Sequence, residues 1–188
     1  MKIIRNAFII LFVLSFTAKA QKPSTAPTVQ VPVDSITKLI TYEGVTEVPG
    51  MKADALYKRA MEWFKTFYKN PTEVIRENDS LKFKIVGKPR FKINNPADKE
   101  GTKTDGGLAQ YTITVAARDG RFKYEITEFN WKQISYYPCE KWMDTKSQTY
   151  TAVYAEYLHQ LDQYTNDLVK NLKAAMMNAK PVKDRDKW

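Results

Sequence analysis

One cysteine and one histidine are the residues best suited to nucleophilic chemistry in this sequence. Cys139 precedes a helical pattern and His159 lies well inside that pattern, so catalysis requires the loop to fold back until the two side chains meet. A helix N-terminus next to Cys139 would lower the pKa of its thiol. The alternatives are a half-buried loop thiol or a disulfide between two chains, because a lone cysteine has no partner in its own chain. We favour the half-buried thiol.

Carboxylates give weaker candidates for catalysis or metal binding. A paired-carboxylate hydrolase would use Glu125 and Glu128, which share one strand face only if a bulge aligns them. One histidine and one cysteine cannot build a zinc site. Asp162, Asn166 and Asp167 fit the solvated face of a helix. We therefore predict no metal, no cofactor and a non-enzymatic protein.

Aromatic side chains are the strongest lead. The chain has 11 tyrosines, 9 phenylalanines and 4 tryptophans, more than one small core requires. Most recur at core spacing, but Trp131, Tyr136, Tyr137 and Trp142 fit no periodic face and cluster around a loop that also holds Cys139. Aromatic residues outside a core favour contact sites for proteins, sugars or lipids. These five residues are the predicted binding site, and packing of the loop onto a sheet is the alternative.

Changes of period along the chain predict the elements that position this loop. Apolar spacing of three and four predicts helices over residues 52–69 and 148–178. Alternation and β-branched residues predict strands near residues 38–48, 72–77, 81–86, 91–93, 108–118 and 121–131. Asp119-Gly120 favours a tight hairpin turn. The alternation then changes parity, which predicts a bulge near Glu128.

These elements predict an α+β fold. We expect a single antiparallel curved sheet of four to six strands with two helices on one face, in the order β-α-β4-α. A last helix of about 45 Å is longer than a ten-residue strand of about 33 Å. The helix is therefore expected either to break or to overhang the sheet with its end, which carries Leu168, Leu172 and Met176. Such an end would contact an envelope protein or a second copy of the chain.

The first residues predict export. Lys2 and Arg5 precede an apolar run over residues 7–16, and Ala18-Lys19-Ala20 is typical of a cleavage site. The run is too short to span a bilayer, which takes about 20 residues. We assign residues 1–20 to a signal peptide, 21–35 to an extended linker, 36–180 to one domain and 181–188 to a charged tail. After cleavage we expect no membrane span, and the periplasm is favoured over secretion.

The charge balance does not favour a nucleic-acid partner. Removal of residues 1–20 deletes three positive charges and no acidic residue, so the net charge falls from +9 to +6. Lysines and arginines are scattered among acids rather than gathered in runs, unlike the basic surfaces that bind nucleic acids.

Two stretches resemble a known family. The first comprises residues 39–50, 56–60 and 63–64, and the second comprises residues 111–115 and 119–124. Both are similar to the domain of unknown function DUF4468, an envelope domain of Bacteroidetes with a TBP-like fold. Met51 and Lys52 stand where that family often has a capping Ser or Asp. The resemblance implies a β-α-β4-α arrangement and an envelope location. It implies no activity, ligand or catalytic residue, and TBP-like describes a shape rather than DNA binding.

The resulting expectation is an exported, non-enzymatic binding or assembly domain. One alternative is a carrier that holds a small apolar ligand between the sheet and the C-terminal helix, a frequent place for a pocket. A hydrolase is the third interpretation.

Overall fold

The computed structural model describes residues 29–132 and 135–177. The predicted signal peptide, residues 21–28 of the predicted linker and the predicted charged tail lie outside these residues. Residues 29–35 of the predicted linker lie inside them, and Val31 is buried in the core. The packed domain therefore begins before residue 36, because the apolar Val31 reaches back onto the core.

An antiparallel sheet of seven strands is the main element of the described chain. The strands are β1 (Tyr42–Glu47), β2 (Ile75–Asp79), β3 (Lys84–Gly87), β4 (Arg90–Asn94), β5 (Asp105–Arg118), β6 (Arg121–Lys132) and β7 (Tyr136–Pro138). Their order is β1-β6-β5-β3-β2, with β4 beside β5 and β7 beside β6. The α+β class is confirmed, but four to six strands is wrong. The sequence missed β7 because its three residues are too few to show an alternating pattern, and the strand forms by pairing with β6.

The long hairpin of β5 and β6 is the centre of this sheet. Arg118 pairs with Arg121 across the Asp119-Gly120 turn, as predicted, and Gly120 adopts a φ of +76° that suits a tight turn. Ile113, Val115 and other alternate residues of β5 are buried on one face. The opposite face carries polar and charged side chains, so the sheet has one dry and one wet side.

The predicted bulge lies at Glu128. Gln110 pairs with Asn130 and Thr112 with Thr127, so β6 has one residue more than β5 between these pairs. Glu128 has a φ of +55°. Its carboxylate accepts a hydrogen bond from the Thr112 hydroxyl at 2.6 Å, which lowers the pKa of Glu128, and Lys88 adds an ion pair at 3.4 Å.

Both long helices cover the dry face, as the sequence predicted. They are α1 (Ala53–Phe67) and α3 (Val153–Met176), with a short α2 (Pro71–Val74) and a 3-10 helix (Cys139–Met143) between them. α1 packs on β5 and on α3, and α3 also packs on β4 and on the 3-10 helix. The predicted strand over residues 72–77 is wrong in its first half, because Pro71 begins α2 there.

The predicted overhang of the last helix is wrong. α3 has 24 residues and is about 36 Å long, whereas the 14-residue β5 extends over about 48 Å. Leu168, Leu172 and Met176 are buried. The Arg59 guanidinium of α1 donates to the Met176 carbonyl at 2.8 Å, so α1 covers the end that was expected to be bare.

Aromatic rings fill the space between the sheet and α3. Phe91 and Tyr164 stack with their ring centroids 4.1 Å apart, and Tyr111 stacks on Phe129 at 5.7 Å. The hydroxyl of Tyr111 lies 3.2 Å from that of Tyr68 and 3.0 Å from that of Tyr164. Burial raises the pKa of Tyr111 well above its usual value, so these hydroxyls form a neutral chain.

The N-terminus of α1 is capped from a distant part of the chain. The capping position is Lys52, whose side chain makes no capping bond. The carboxylate of Asp119, in the β5–β6 turn, accepts a hydrogen bond from the Ala53 N–H at 2.9 Å and pairs with Lys52 at 3.0 Å. A residue of the hairpin thus supplies the cap that Met51 and Lys52 do not provide.

Replacing Asp119 should destabilise the fold in a pH-dependent way. The Ala53 N–H first, and then Lys52, hold the pKa of Asp119 below its usual value. The stabilisation is therefore complete at neutral pH and is lost as the pH falls through the lowered pKa. We expect D119A to melt at a lower temperature than the parent at pH 7, with the difference shrinking below about pH 4. Circular dichroism melting at both pH values measures this.

Asp167, an exposed aspartate of α3, provides the control. D167A should not lower the melting temperature, since alanine favours a helix. Equal melting of D119A and the parent at pH 7 would contradict the capping role.

Adding a methyl group at Gly87 should disturb the contact between β3 and α1. A Cβ there would lie 2.8 Å from Phe64 Cε1 and 3.3 Å from Ile113 Cγ2, and both side chains are fully buried. We expect G87A to lose about 1–3 kcal/mol of unfolding free energy in urea titrations. The double variant F64L/G87A should lose less than the two single losses combined, whereas strict additivity would contradict the proposed clash.

Candidate binding site

Two attachments hold the loop that the sequence singled out. β7 pairs with the end of β6, placing Tyr137 opposite Trp131. The 3-10 helix follows directly, and the Glu140 carboxylate accepts a hydrogen bond from the Ile40 N–H at 2.9 Å. The loop is therefore fixed on one side to the sheet and on the other to the segment that enters β1.

Four rings form what we call the tryptophan cluster: Trp131, Trp142, Tyr154 and Tyr157. The Trp142 ring centroid lies 5.7 Å from that of Trp131, 6.2 Å from that of Tyr154 and 5.4 Å from that of Tyr157. Trp131 extends from β6, Trp142 from the 3-10 helix and both tyrosines from the start of α3. The cluster joins sheet, loop and helix, so packing, the alternative interpretation of the loop, accounts for part of it.

A pocket of about 490 Å³ borders the tryptophan cluster, and we call it the Trp142 pocket. Its lining comes from three parts of the chain: residues 29–31, the end of the 3-10 helix with Trp142, Met143 and the following Thr145, and the region around the start of α3 with Tyr150, Ala152, Ala155 and Leu158. Volumes of about 300–1,000 Å³ are typical of small-molecule sites. None of the described residues that line the pocket is charged.

The indole nitrogens differ in their hydrogen bonding. Trp131 donates to the Gly106 carbonyl at 2.7 Å, and Trp63 donates to Asn171 Oδ1 at 2.8 Å. The indole N–H of Trp142 is sealed from solvent and has no acceptor among the described residues. A buried donor without a partner costs about 1–3 kcal/mol, so this nitrogen is a feature that requires an explanation.

The structure separates the predicted site residues into three groups. Trp131 and Trp142 meet in the tryptophan cluster. Tyr136 and Tyr137 lie outside this cluster, and Tyr136 is exposed. Each ring lies near a lysine: Lys132 Nζ is 5.9 Å from the ring centroid of Tyr136, and Lys141 Nζ is 4.7 Å from that of Tyr137. Cys139 forms the third group, since it is completely buried.

Cys139 is not placed for catalysis. Burial first, and the nearby charge of Glu140 second, raise the pKa of the Cys139 thiol well above its usual value, so the thiol stays protonated and weakly nucleophilic. His159 is exposed on α3. The burial of Cys139 also disfavours a disulfide between two chains.

The carboxylates are engaged in separate ion pairs. Oε2 of Glu125 lies 3.7 Å from Nζ of Lys123, whereas the Glu128 carboxylate pairs with Lys88. The lowered pKa of Glu128 is the reverse of what a general acid needs. Within residues 29–132 and 135–177, no group of three His, Cys, Asp or Glu side chains could hold a metal ion.

Sequence reasoning missed most of the walls of the pocket. Tyr150, Ala155 and Leu158 fell within the predicted helix over residues 148–178, whose period does not reveal a pocket. Val29 and Val31 fell within the predicted linker. An alternating pair of valines between prolines was the one available signal that this segment packs.

The model for the domain of unknown function DUF4468 with TBP-like fold matches residues 42–132, which run from β1 to the end of β6. This region is a DUF4468 domain. The predicted resemblance is thereby confirmed. Most of the Trp142 pocket, including the 3-10 helix and α3, lies outside the matched residues. No curated protein matches the chain.

Solved structures extend the likeness beyond the matched residues. A DUF4468 family protein from Bacteroides ovatus superposes with a TM-score of 0.61 at 17% identity, covering 81% of this chain and 93% of that one. A TBP-like protein from Parabacteroides distasonis gives a TM-score of 0.54 at 14% identity, covering 76% and 95%. At these identities the likeness shows the fold alone.

None of the helices that the structure describes in this protein is both long and apolar enough to cross a membrane.

Thiol labelling tests the buried position of Cys139. We expect the native protein to react slowly with iodoacetamide at pH 8, because the thiol is enclosed and its pKa is raised, and to react fully in urea. Mass spectrometry measures the labelled fraction over time. Equal rates in both conditions would show that Cys139 is accessible in the folded protein.

Proposed function

We propose that this chain is an exported, non-enzymatic binding domain that takes a small molecule in the Trp142 pocket. The observation that carries the proposal is the pocket itself, which lies against the aromatic loop that the sequence marks as a contact site. Its volume suits a small ligand, and apolar and aromatic side chains provide most of its lining.

The surroundings of the pocket favour binding over catalysis. Among the described residues that line it there is no Asp, Glu, His, Lys or Cys side chain to transfer a proton or attack a substrate. Cys139 lies on the same 3-10 helix as Trp142, but its raised pKa makes it a poor nucleophile.

The Trp142 pocket lies in a different place from the carrier site that the sequence suggested. The sequence suggested the space between the sheet and the last helix, and aromatic rings such as Tyr111, Phe91 and Tyr164 fill that space. The Trp142 pocket lies instead at the beginning of α3. The binding and carrier hypotheses therefore lead to the same site.

Export is supported by the signal-like residues 1–20 and the small-residue motif that ends them. A binding domain outside the cytoplasm would act on molecules of the envelope.

Native mass spectrometry of the protein recovered from its own cells tests this function. The full-length chain is expressed in its host and isolated without denaturation from the envelope fraction. We expect the mass of the processed chain plus one small molecule. The variant A155W should lose the added mass, because Ala155 lines the pocket and an indole would fill it.

Asp167 provides the matched control on the same helix. It is exposed and does not line the pocket, so D167W should retain the small molecule. A bare chain in the parent protein would contradict a binding role. A ligand that stays with A155W would place the binding site elsewhere.

A further inference from the structure

We propose that the ligand of the Trp142 pocket is a neutral, largely apolar molecule whose carbonyl oxygen accepts a hydrogen bond from the indole N–H of Trp142. This inference rests on the proposed function and specifies the chemistry of its ligand. It follows from the unsatisfied donor, the uncharged lining and the size of the pocket.

The unsatisfied donor defines what the ligand must offer. An indole nitrogen can only donate a hydrogen bond, so its partner must be an acceptor. The other two indoles of the described chain already have carbonyl acceptors, the Gly106 backbone for Trp131 and the Asn171 side chain for Trp63. Trp142 alone of the three lacks one, and it is the one that lines the pocket.

The lining selects a neutral acceptor over a charged one. A carboxylate or phosphate would leave water for a wall whose described residues include no lysine or arginine. Burying an unpaired charge is far more costly than burying a carbonyl that receives a hydrogen bond. Ketones, esters and amides satisfy both conditions.

The volume sets the size of the apolar part. An apolar cavity of about 150 Å³ holds benzene, so a pocket of about 490 Å³ has room for two linked rings or a branched aliphatic body. Val29, Val31, Met143 and Leu158 would contact such a body.

The ring of Trp142 must tilt for the bond to form. Its nitrogen is now sealed within the cluster rather than open to the pocket. Trp142 belongs to a five-residue 3-10 helix, whose hydrogen bonding is weaker than that of an α-helix. Because the loop is held on both sides, the movement required is a rotation of the Trp142 ring within the tryptophan cluster.

A matched pair of probes tests the inference. Benzophenone and 1,1-diphenylethylene have nearly the same shape, but a C=O in the first replaces a C=CH2 in the second. Each is titrated into the 15N-labelled full domain, and the indole N–H signals are followed by NMR. The signal of Trp142 is assigned as the one missing in W142F.

We expect benzophenone to bind about tenfold more tightly, which is the effect of one recovered hydrogen bond. It should also move the Trp142 indole proton downfield, as a new hydrogen bond does. The signal of Trp63 is the internal control, because its hydrogen bond is already made and it lies outside the tryptophan cluster. In W142F, which keeps an aromatic ring but has no N–H, the two probes should bind equally.

The outcomes distinguish the ligand class from the function itself. Equal affinities in the parent protein, or a preference for benzophenone that survives in W142F, would overturn the carbonyl bond while leaving a binding pocket. Tighter binding of the anion diphenylacetate would overturn the neutral class. No shift at pocket residues with any of the three probes would overturn this ligand class, while the native mass spectrum of the parent protein decides the proposed function separately.

Discussion

The extra residue at Glu128 determines which side chains of β6 face the core. A strand alternates strictly between its two faces, so a register change of one residue moves every later side chain to the other face. Tyr124 and Ile126 face inwards before the bulge, and Phe129 and Trp131 do so after it. Without the bulge, Phe129 would leave its stack with Tyr111, and Trp131 would leave the tryptophan cluster. The positive φ of Glu128 is unfavourable for a residue with a side chain, and the bonds from Thr112 and Lys88 offset it.

Local patterns made much of this architecture predictable. The change of parity after Ile126 indicated the bulge, and Asp119-Gly120 indicated the turn. The spacing of three and four in α1 gave its buried face, which ends in the rings of Trp63 and Phe64. Each of these features depends on residues that are neighbours in sequence or lie within two turns of a helix, which is the range over which periodicity carries information.

Features that depend on distant contacts could not be predicted in this way. The cap of α1 comes from Asp119, 66 residues after Ala53. β7 has too few residues to show a period, and it forms because β6 offers a free edge beside it. The candidate site was found in part: unplaced aromatics pointed to Trp131 and Trp142, but lack of period also included Tyr136, which lies outside the cluster. Residues that fit no periodic face can lie either in a pocket wall or on an exposed strand, and the sequence pattern does not distinguish these two positions.

The hydrogen bond between Ile40 and Glu140 spans 100 residues, and the Trp142 pocket has walls from residues 29–31 and from the helix that begins at Val153. Contacts so far apart in the chain are slow to form, because the intervening loop must first be closed. The central hairpin can form early from local contacts, whereas the pocket can form only once both ends of the described chain have docked. A molecule bound there would hold these two ends together, and its retention would slow their separation. The occupied pocket would thus stabilise the part of the domain that assembles last.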